Sequence, residues 1–414
     1  ASLQGAIINM AQDFIGSNNI NVLMPNGQFG TRIMGGSDSA SARYIHTELN
    51  PLVDTIYPKD DLPLLTYTND DGLLVEPEYY VPIIPMVLVN GMVGIGTGFS
   101  TNIPLYDPYK IINNIMKKLD NKDAQYTLLI PHYNNFKGTI IKIDKMNYIT
   151  KGLYKLNKHE NKLEITELPI GKWTDDYIKF IQENIQKDEK HNFITDYENH
   201  STDSEVHIIC KVTDEFIFDF EHSTPDENGT NYVEKQMKLT SNKSLTNLHL
   251  YNKDNQIQKF KDVYAIMDHH YYVRYDLYIK RKEYILNILK NKISILESKV
   301  KFINEIIDDT ITIYKKTKKD IIQQLYSKEY LLYENNVITL TSKKKFKSIR
   351  SEYDYLIKMP LYSLSQDKID ELTKDLEKNK LEYEKLEGKS IETMWREELK
   401  LLKSQLDRFY KNKN

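Results

Sequence analysis

An arginine followed by a tyrosine is the pair best suited to chemistry in this sequence. Arg43 and Tyr44 come after the small hydroxyl residues Ser39 and Ser41 and after a Gly-Gly pair at 35–36. A phenol is a weak nucleophile at neutral pH because its pKa lies near 10, so attack on a phosphodiester needs a cation that neutralises the phosphate oxygens. Arg43 can supply part of that charge, and a metal ion usually supplies the rest. Because the chain has 30 tyrosines, this spacing alone is weak evidence for a nucleophile.

A glycine-rich stretch at residues 90–98 (NGMVGIGTG) is the second candidate. Its glycines do not follow the G-x-G-x-x-G spacing and no Lys-Ser/Thr pair follows them, so a nucleotide phosphate site is not favoured. Glycines on both sides of Ile95 let the backbone approach another molecule while one stiff apolar side chain projects. Such a side chain can act as a wedge between DNA base pairs. A buried tight turn explains the pattern equally well, and the sequence leaves both interpretations open.

Metal ligation and other nucleophilic sites find little support. His269 and His270 are adjacent, so on a helix they point in different directions, and no acid-rich cluster surrounds them. We interpret them as structural or solvated residues. The single cysteine, Cys210, excludes an internal disulfide and a multi-cysteine zinc site and favours a reducing compartment. No Ser-His-Asp arrangement is evident, and we predict neither a metal-binding nor a cofactor-binding residue in this chain.

Length and composition indicate a globular protein of several units. A chain of 414 residues predicts two to four structural units. Hydrophobic residues make up 40% and charged residues 28%, as in globular domains. No run of roughly 18 apolar residues predicts a membrane span, and the N-terminus shows no secretory signal.

The charge balance argues mildly against a nucleic-acid partner. The formal net charge is −3, and in the first hundred residues Arg32, Arg43 and Lys59 stand against ten Asp and Glu. Any contact with DNA must therefore come from a few placed cations, from backbone N–H groups or from another part of the protein.

Local patterns divide the chain into three parts. Residues 1–85 are rich in turn formers, and we predict helices over 5–15 and 40–49, the second ended by Asn50-Pro51. Residues 86–250 carry short β-branched stretches that predict an α/β region, with strands at 138–143, 163–166 and 206–212.

The last third, from residue 251, has apolar residues at alternating steps of three and four. They predict a long antiparallel coiled-coil stalk whose helices enclose a small head at 308–360. Ordinary amphipathic helices are the alternative. The periodic positions are Ile285, Leu289, Ile293, Leu296, Val300, Ile303 and Ile307, then Ile369, Leu372, Leu376, Asn379, Tyr383 and Leu386, then Trp395, Leu399, Leu402, Leu406 and Phe409.

Linear motifs along nearly the whole chain resemble the DNA-cleaving region of type IIA DNA topoisomerases, in their eukaryotic and large-DNA-virus branch. The motifs are GQFGTR at 27–32, GG at 35–36, DSAS at 38–41, RYI at 43–45, EPEYYVPIIPMVL at 76–88, GIGTG at 94–98, NFKG at 135–138, ELP at 167–169 with Trp173, ITDY at 194–197, KRKEY at 280–284, MPL at 359–361 and WREEL at 395–399. Their order and specificity make a chance match implausible.

The resemblance implies a role for each matching residue. Tyr44 is expected to attack DNA and to hold its 5′-phosphate as a phosphotyrosyl ester, with Arg43 at the scissile phosphate. Arg32 is expected to hold the DNA backbone and Ile95 to unstack a base step. Ser39 and Ser41 are also expected to contact DNA. The family often has Pro where this chain has Ala42 and a basic residue where it has Ser37, which would loosen the approach and remove one phosphate contact.

The implied architecture is mixed α/β and multidomain. It comprises a winged-helix remnant at 1–85, a tower at 86–250, and a coiled-coil stalk with a terminal dimer gate at 251–414. The resemblance implies Mg²⁺ and ATP as cofactors, both bound by domains that this chain lacks. We therefore expect a fragment that is inactive alone, acting on double-stranded DNA as a homodimer without a membrane.

The expected compartment is the nucleus, or the host cytoplasm if the protein is viral, because the compact form resembles enzymes of large nucleocytoplasmic DNA viruses. Two other functions remain to be considered. A non-catalytic coiled-coil protein that shapes DNA would use Ile95 and the stalk but not Tyr44. A tyrosine recombinase needs an Arg-His-Arg set, usually upstream of its tyrosine, and Tyr44 lies too close to the start of this chain for that.

Overall fold

The computed structural model describes residues 2–186, 192–334, 337–340, 344–346, 349, 351–360 and 365–413. Within them the α-helices are α1 (Ser2–Ala11), α2 (Val53–Ile56), α3 (Met86–Val89), α4 (Pro108–Asp120), α5 (Thr174–Ile185), α6 (Asp214–His222), α7 (Tyr232–Gln236), α8 (Val263–Ile307), α9 (Lys318–Ser327), α10 (Asp354–Ile357), α11 (Gln366–Glu387) and α12 (Ile391–Lys413). Short 3₁₀ helices span Ala42–Tyr44 and Lys59–Leu64. None of the described helices is long and apolar enough to cross a membrane.

The strands form small antiparallel sheets rather than one large sheet. They are β1 (Tyr67–Asp70), β2 (Leu73–Pro77), β3 (Met92–Gly96), β4 (Phe99–Ile103), β5 (Thr139–Lys142), β6 (Asn147–Lys151), β7 (Leu153–Asn157), β8 (Lys162–Glu167), β9 (Ile194–Asn199), β10 (Ile208–Val212), β11 (Thr240–Ser244), β12 (His249–Tyr251), β13 (Ile257–Lys259), β14 (Leu332–Glu334) and β15 (Val337–Thr339). The larger sheets have the orders β7-β8-β10-β9 and β11-β6-β5, and the remaining strands pair as hairpins.

The chain divides into two compact units. The first unit comprises residues 1–274 and 395–414, and the second comprises residues 275–394. The finer division into winged helix, tower and stalk stays a prediction, whereas the mixed α/β, multidomain class is confirmed.

One core of the first unit lies on the four-stranded sheet. Leu163 and Ile165 of β8 alternate with more exposed neighbours and lie beside Ile208 and Cys210 of β10. This is the period-two pattern of a strand with one buried face. The inner face of α5 packs on the same core through Tyr177 and Ile181. The strands predicted at 138–143, 163–166 and 206–212 are confirmed as β5, β8 and β10.

The helix predicted over 40–49 is wrong. This segment forms only the 3₁₀ turn Ala42–Tyr44 and then runs extended. The backbone of its second half is used elsewhere: His46 N–H donates to the Asn26 carbonyl at 3.0 Å, and the Glu48 carbonyl accepts from Met24 N–H at 2.8 Å. Backbone pairing with residues 24 and 26 therefore replaces local helical bonds.

The helix predicted over 5–15 exists but ends earlier, at Ala11. The side-chain amide of Asn18 donates to the carbonyls of Asn9 and Gln12, at 2.8 and 2.9 Å. These bonds satisfy carbonyls at the helix end, so the chain can turn before the predicted glycine stop.

The second unit contains two long helical segments packed side by side in opposite directions. Their contact is apolar and joins Leu296 and Ile303 of α8 to Ile369 and Leu372 of α11. These helices fall where the three-four periodicity predicts them, and the assignment to a coiled-coil stalk stays a prediction. The predicted head has its own core, formed by Phe302, Ile311, Ile322, Leu325, Tyr330, Leu332, Ile349, Tyr353 and Leu356. Leu361 of the MPL motif lies outside the described residues.

Candidate DNA-cleavage site

Tyr44 ends the 3₁₀ turn of residues 42–44 and is exposed. Its side chain has a relative accessibility of 70%, and its N–H donates to the Ser41 carbonyl at 2.9 Å. The guanidinium carbon of Arg43 lies 5.2 Å from the centre of the Tyr44 ring. The phenol and a cation are therefore presented together on the surface, as attack on a phosphate requires.

Residues 27–44, which end in this turn, are called here the cleavage loop, and polar contacts fix the part before the turn. The side-chain amide of Gln12, on the segment that follows α1, donates to the Phe29 and Gly36 carbonyls, at 2.9 and 3.2 Å. The Asp38 carboxylate accepts from both the N–H and the hydroxyl of Thr31, at 2.9 and 2.6 Å. These contacts hold the two arms of the loop together, so they fix the backbone conformation of the segment that leads to Tyr44.

Two glycines allow the arms of the cleavage loop to touch. Gly30 has φ +102°, and a Cβ added there would lie 2.6 Å from both Cα and the carbonyl oxygen of Gly36. Only a residue without a side chain fits this backbone approach. Close packing against Gly36 therefore explains why the second glycine of the GQFGTR motif, Gly30, is a glycine.

The residues after Tyr44 anchor the other end of the turn. Ile45 is buried in a small core with Ala11 and Phe29. The next residue, His46, forms an antiparallel bridge with Asn26. Tyr44 thus projects from a backbone that is fixed on both sides.

Arg32 does not lie on the surface beside Tyr44. Its side chain is buried and forms an ion pair with Glu167, the last residue of β8. The same carboxylate accepts from Leu168 N–H at 2.9 Å and Lys137 N–H at 3.2 Å. Arg32 therefore ties the cleavage loop to the neighbouring sheet, and a direct contact with DNA stays a prediction for it. Ser39 is half-buried, and Ser41 is exposed; their DNA contacts also stay predictions.

Ile95 projects from the hairpin of β3 and β4. It pairs with Ser100 across the hairpin, and its side chain is 92% exposed. The interpretation of this stretch as a buried tight turn is therefore wrong. Val93, which the sequence reasoning missed, lies on the same side of the strand and is 79% exposed. The only sequence signal for Val93 is its spacing of two from Ile95.

In the described part of the chain, no three His, Cys, Asp or Glu side chains are grouped to hold a metal ion. Asp38, the acid of the cleavage loop, uses both carboxylate oxygens on Thr31. The residues described around Tyr44 do not make a magnesium site, so no step is assigned to a metal held by this chain. His270 is structural: its Nε2 donates to the Pro82 carbonyl at 2.7 Å, and burial lowers its pKa to about 4.

Comparisons with known proteins identify the family of the chain. The family model of the DNA gyrase/topoisomerase IV A-subunit matches residues 1–400. The chain belongs to this family of type IIA topoisomerases.

Relatives in three lineages cover almost the whole chain. It is 38% identical to the mitochondrial DNA topoisomerase 2 of Dictyostelium discoideum, 37% to DNA topoisomerase 2 of Plasmodium falciparum and 36% to that of Arabidopsis thaliana, each over 98% of this chain. The chain spans about 30% of the length of these relatives. They come from cellular organisms, and the predicted similarity to viral enzymes stays a prediction.

A solved structure supports the same family. The crystal structure of the Plasmodium falciparum topoisomerase II DNA-binding, cleavage and re-ligation domain superposes with a TM-score of 0.85 at 36% identity. The match covers 100% of this chain and 56% of that one. The fold around Tyr44 is therefore that of a topoisomerase DNA-gate region.

Proposed function

We propose that this chain cuts and rejoins double-stranded DNA, with Tyr44 as the nucleophile. The observation that carries the proposal is the exposed Tyr44, next to Arg43, at the end of a loop fixed by buried contacts. Family membership and the cleavage and re-ligation domain named in the similar solved structure support it.

The reaction is a transesterification. The Tyr44 oxygen loses its proton and attacks phosphorus, the bond from phosphorus to the 3′-oxygen breaks, and the 3′-oxygen leaves as a hydroxyl. The product is a 5′-phosphotyrosyl ester. One phosphodiester is exchanged for another, so the reverse step reseals the strand without a nucleotide. Arg43 contributes by neutralising charge on the phosphate oxygens as the transition state forms.

Ile95 supplies a different part of the proposal. An exposed branched side chain on a hairpin can enter a base step and bend the duplex, which costs unstacking energy and gains contact area. Val93 extends the same apolar surface. The hairpin would thus shape the DNA that Tyr44 cuts.

A complete cycle needs a second copy of the chain. One Tyr44 cuts one strand, so cutting both strands requires two copies related by two-fold symmetry. We propose that the helices α8, α11 and α12 belong to the coiled-coil stalk and its dimer gate, and that residues 1–85 belong to a winged-helix module. Mg²⁺ and ATP would serve cleavage and strand passage through other parts of the protein.

The experiment replaces Tyr44 by Phe in the longest available form of the protein and traps cleavage with denaturant in the presence of magnesium. The matched control is Tyr314→Phe, because Tyr314 is similarly exposed, at 75%. We expect covalent protein–DNA adducts with the unchanged protein and with the control, and none with Tyr44→Phe.

Two other outcomes contradict the proposal. Adducts that persist in Tyr44→Phe show that another residue is the nucleophile. DNA binding and bending without adducts in any variant favours a non-catalytic protein that shapes DNA.

A further inference from the structure

Three lysines from distant parts of the chain converge beside the cleavage loop. They are Lys172, in the turn after β8, Lys238, just after α7, and Lys243 on β11. The Lys243 Nζ lies 3.3 Å from the position that a Cβ on Gly171 would occupy, so its ammonium group covers the turn that carries Lys172. Lys238 is close enough to Lys172 for their charges to repel. We call these residues the lysine cluster.

The lysine cluster has no carboxylate partner among the described residues. Elsewhere in the first unit the structure pairs its buried lysines with acids: Lys118 with Asp268, and Lys151 with Glu234. Buried charge is normally compensated in this way, because removing an ammonium group from water is costly. No described carboxylate therefore neutralises the positive charge of the cluster, and the described contact of the Lys238 ammonium is with the face of the Phe180 ring, 4.3 Å from its centre.

The surroundings make this charge costly in the free protein. Burial, and then repulsion by Lys238, lowers the pKa of Lys172. Burial also lowers the pKa of Lys243. Both shifts mean that the charged form is disfavoured where it stands. An anion that binds beside these lysines supplies the negative charge that offsets their ammonium groups.

The turn carrying Lys172 is docked directly on the cleavage loop. The indole of Trp173 packs on Gly35 so closely that a Cβ there would lie 2.3 Å from the indole nitrogen. The N–H of Asp175 donates to the Ile33 carbonyl at 3.0 Å. The lysine cluster is thus fixed to the backbone segment that leads to Tyr44.

We propose that Lys172, Lys238 and Lys243 bind backbone phosphates of the DNA duplex that runs past the cleavage loop. The proposal rests on the proposed function, which places DNA at Tyr44. Duplex DNA presents one negative charge about every 1.7 Å along its axis, so several phosphates can meet a fixed cluster of cations. Lysine meets a phosphate as a point charge, and a contact with phosphate carries no sequence information. The cluster therefore strengthens binding and sets the position of the duplex without adding sequence preference.

The test replaces Lys172 and Lys243 by Met, which keeps an unbranched side chain and removes the charge. The control pair is Lys179→Met with Lys235→Met, because these exposed lysines lie on the neighbouring helices α5 and α7. Affinity for a 40-base-pair duplex is measured by fluorescence anisotropy over a range of salt concentrations, and thermal melting is followed without DNA.

We expect the Lys172/Lys243 variant to bind more weakly, by on the order of tenfold, and its slope of log affinity against log salt to fall by about 2, near 0.9 per lost phosphate contact. Its melting temperature should stay equal or rise, because two uncompensated, partly buried charges are gone. A merely structural role predicts the reverse pattern, a lower melting temperature with an unchanged slope. The control pair should leave the slope unchanged.

Several outcomes overturn the inference. An unchanged slope in the Lys172/Lys243 variant, or an equal decrease in the control pair, removes the cluster as a DNA site while the proposed function stands. Binding of tripolyphosphate that depends on Lys172 and Lys243, without any effect on duplex binding, identifies a site for small anions instead. If the double variant melts lower, Lys243→Met alone is measured; a decrease in slope of about 0.9 is expected for one lost phosphate contact, and an unchanged slope counts against the inference. Failure of the unchanged protein to bind any duplex contradicts the proposed function as well.

Discussion

Tyr44 and Ile95 are both presented to solvent, but the structure supports them in different ways. Tyr44 ends a loop held by the side chains of Gln12 and Asp38 and by contact between glycine backbones. Ile95 projects from a two-stranded hairpin, and the β4 strand of that hairpin is held by the backbone of Asn247, which accepts from Asn102 N–H at 2.9 Å.

The difference matches the task proposed for each residue. A nucleophile must reach phosphorus within a fraction of an ångström and in line with the leaving group, and a small displacement costs much of the rate. A wedge needs a stiff apolar side chain that projects far enough to enter a base step. A small shift of the hairpin backbone does not remove this projection. Sensitivity to backbone changes should therefore be high in the cleavage loop and low in the hairpin.

The largest effect is expected from Gly30→Ala. The new Cβ would meet the Gly36 backbone at 2.6 Å and would force a residue with φ +102° to carry a side chain. The conformational cost alone is about 1 to 2 kcal/mol, and displacement of the loop should reduce DNA cleavage on the order of 100-fold. Cleavage in a denaturant-trapping assay, with circular dichroism as the folding control, measures both. Cleavage at the unchanged rate in a folded variant would show that the loop need not be held this way.

An intermediate effect is expected from Ile95→Ala. The side chain is almost fully exposed, so the free energy of unfolding should change by less than about 0.5 kcal/mol. DNA bending, measured by energy transfer between dyes at the duplex ends, should decrease clearly because the wedge is lost. Val93→Ala is the matched control and should have a smaller effect. Equal bending by Ile95→Ala and the unchanged protein would refute the wedge.

The smallest effect is expected from Gly94→Ala in the hairpin. An added Cβ there meets only the Thr101 methyl group, at 3.7 Å, which is an ordinary contact. Cleavage, bending and stability should each stay close to the values of the unchanged protein. A loss comparable to that of Gly30→Ala would remove the proposed contrast between the two regions.

Prediction from sequence worked where structure follows local patterns. The period-two stretches became β8 and β10, and the three-four spacing became α8, α11 and α12, since one face of each element has to leave water. It failed at residues 40–49, because His46 and Glu48 bond to residues some twenty positions away. No local propensity contains that information.

The candidate site was also predicted in part. The linear motif at 27–45 located Tyr44 and Arg43 because both lie in one short segment, and the glycine spacing located Ile95. For Arg32 the motif predicts a DNA contact, which stays a prediction; the structure adds a pairing of its guanidinium with Glu167, more than a hundred residues away. A sequence motif identifies a residue, but it does not show which carboxylate, distant in the sequence, that residue will pair with in the folded chain.

The sequence by itself determined the family, the nucleophile candidate and the helical and strand periodicities, because each of these depends on residues that are close together in the sequence. The tertiary structure decided which residues are exposed and which are paired. It buried Arg32, exposed Val93 beside Ile95, and brought Lys172, Lys238 and Lys243 together from three segments. Electrostatic and packing interactions depend on the distances between side chains. For residues far apart in the sequence, those distances are set only when the chain folds.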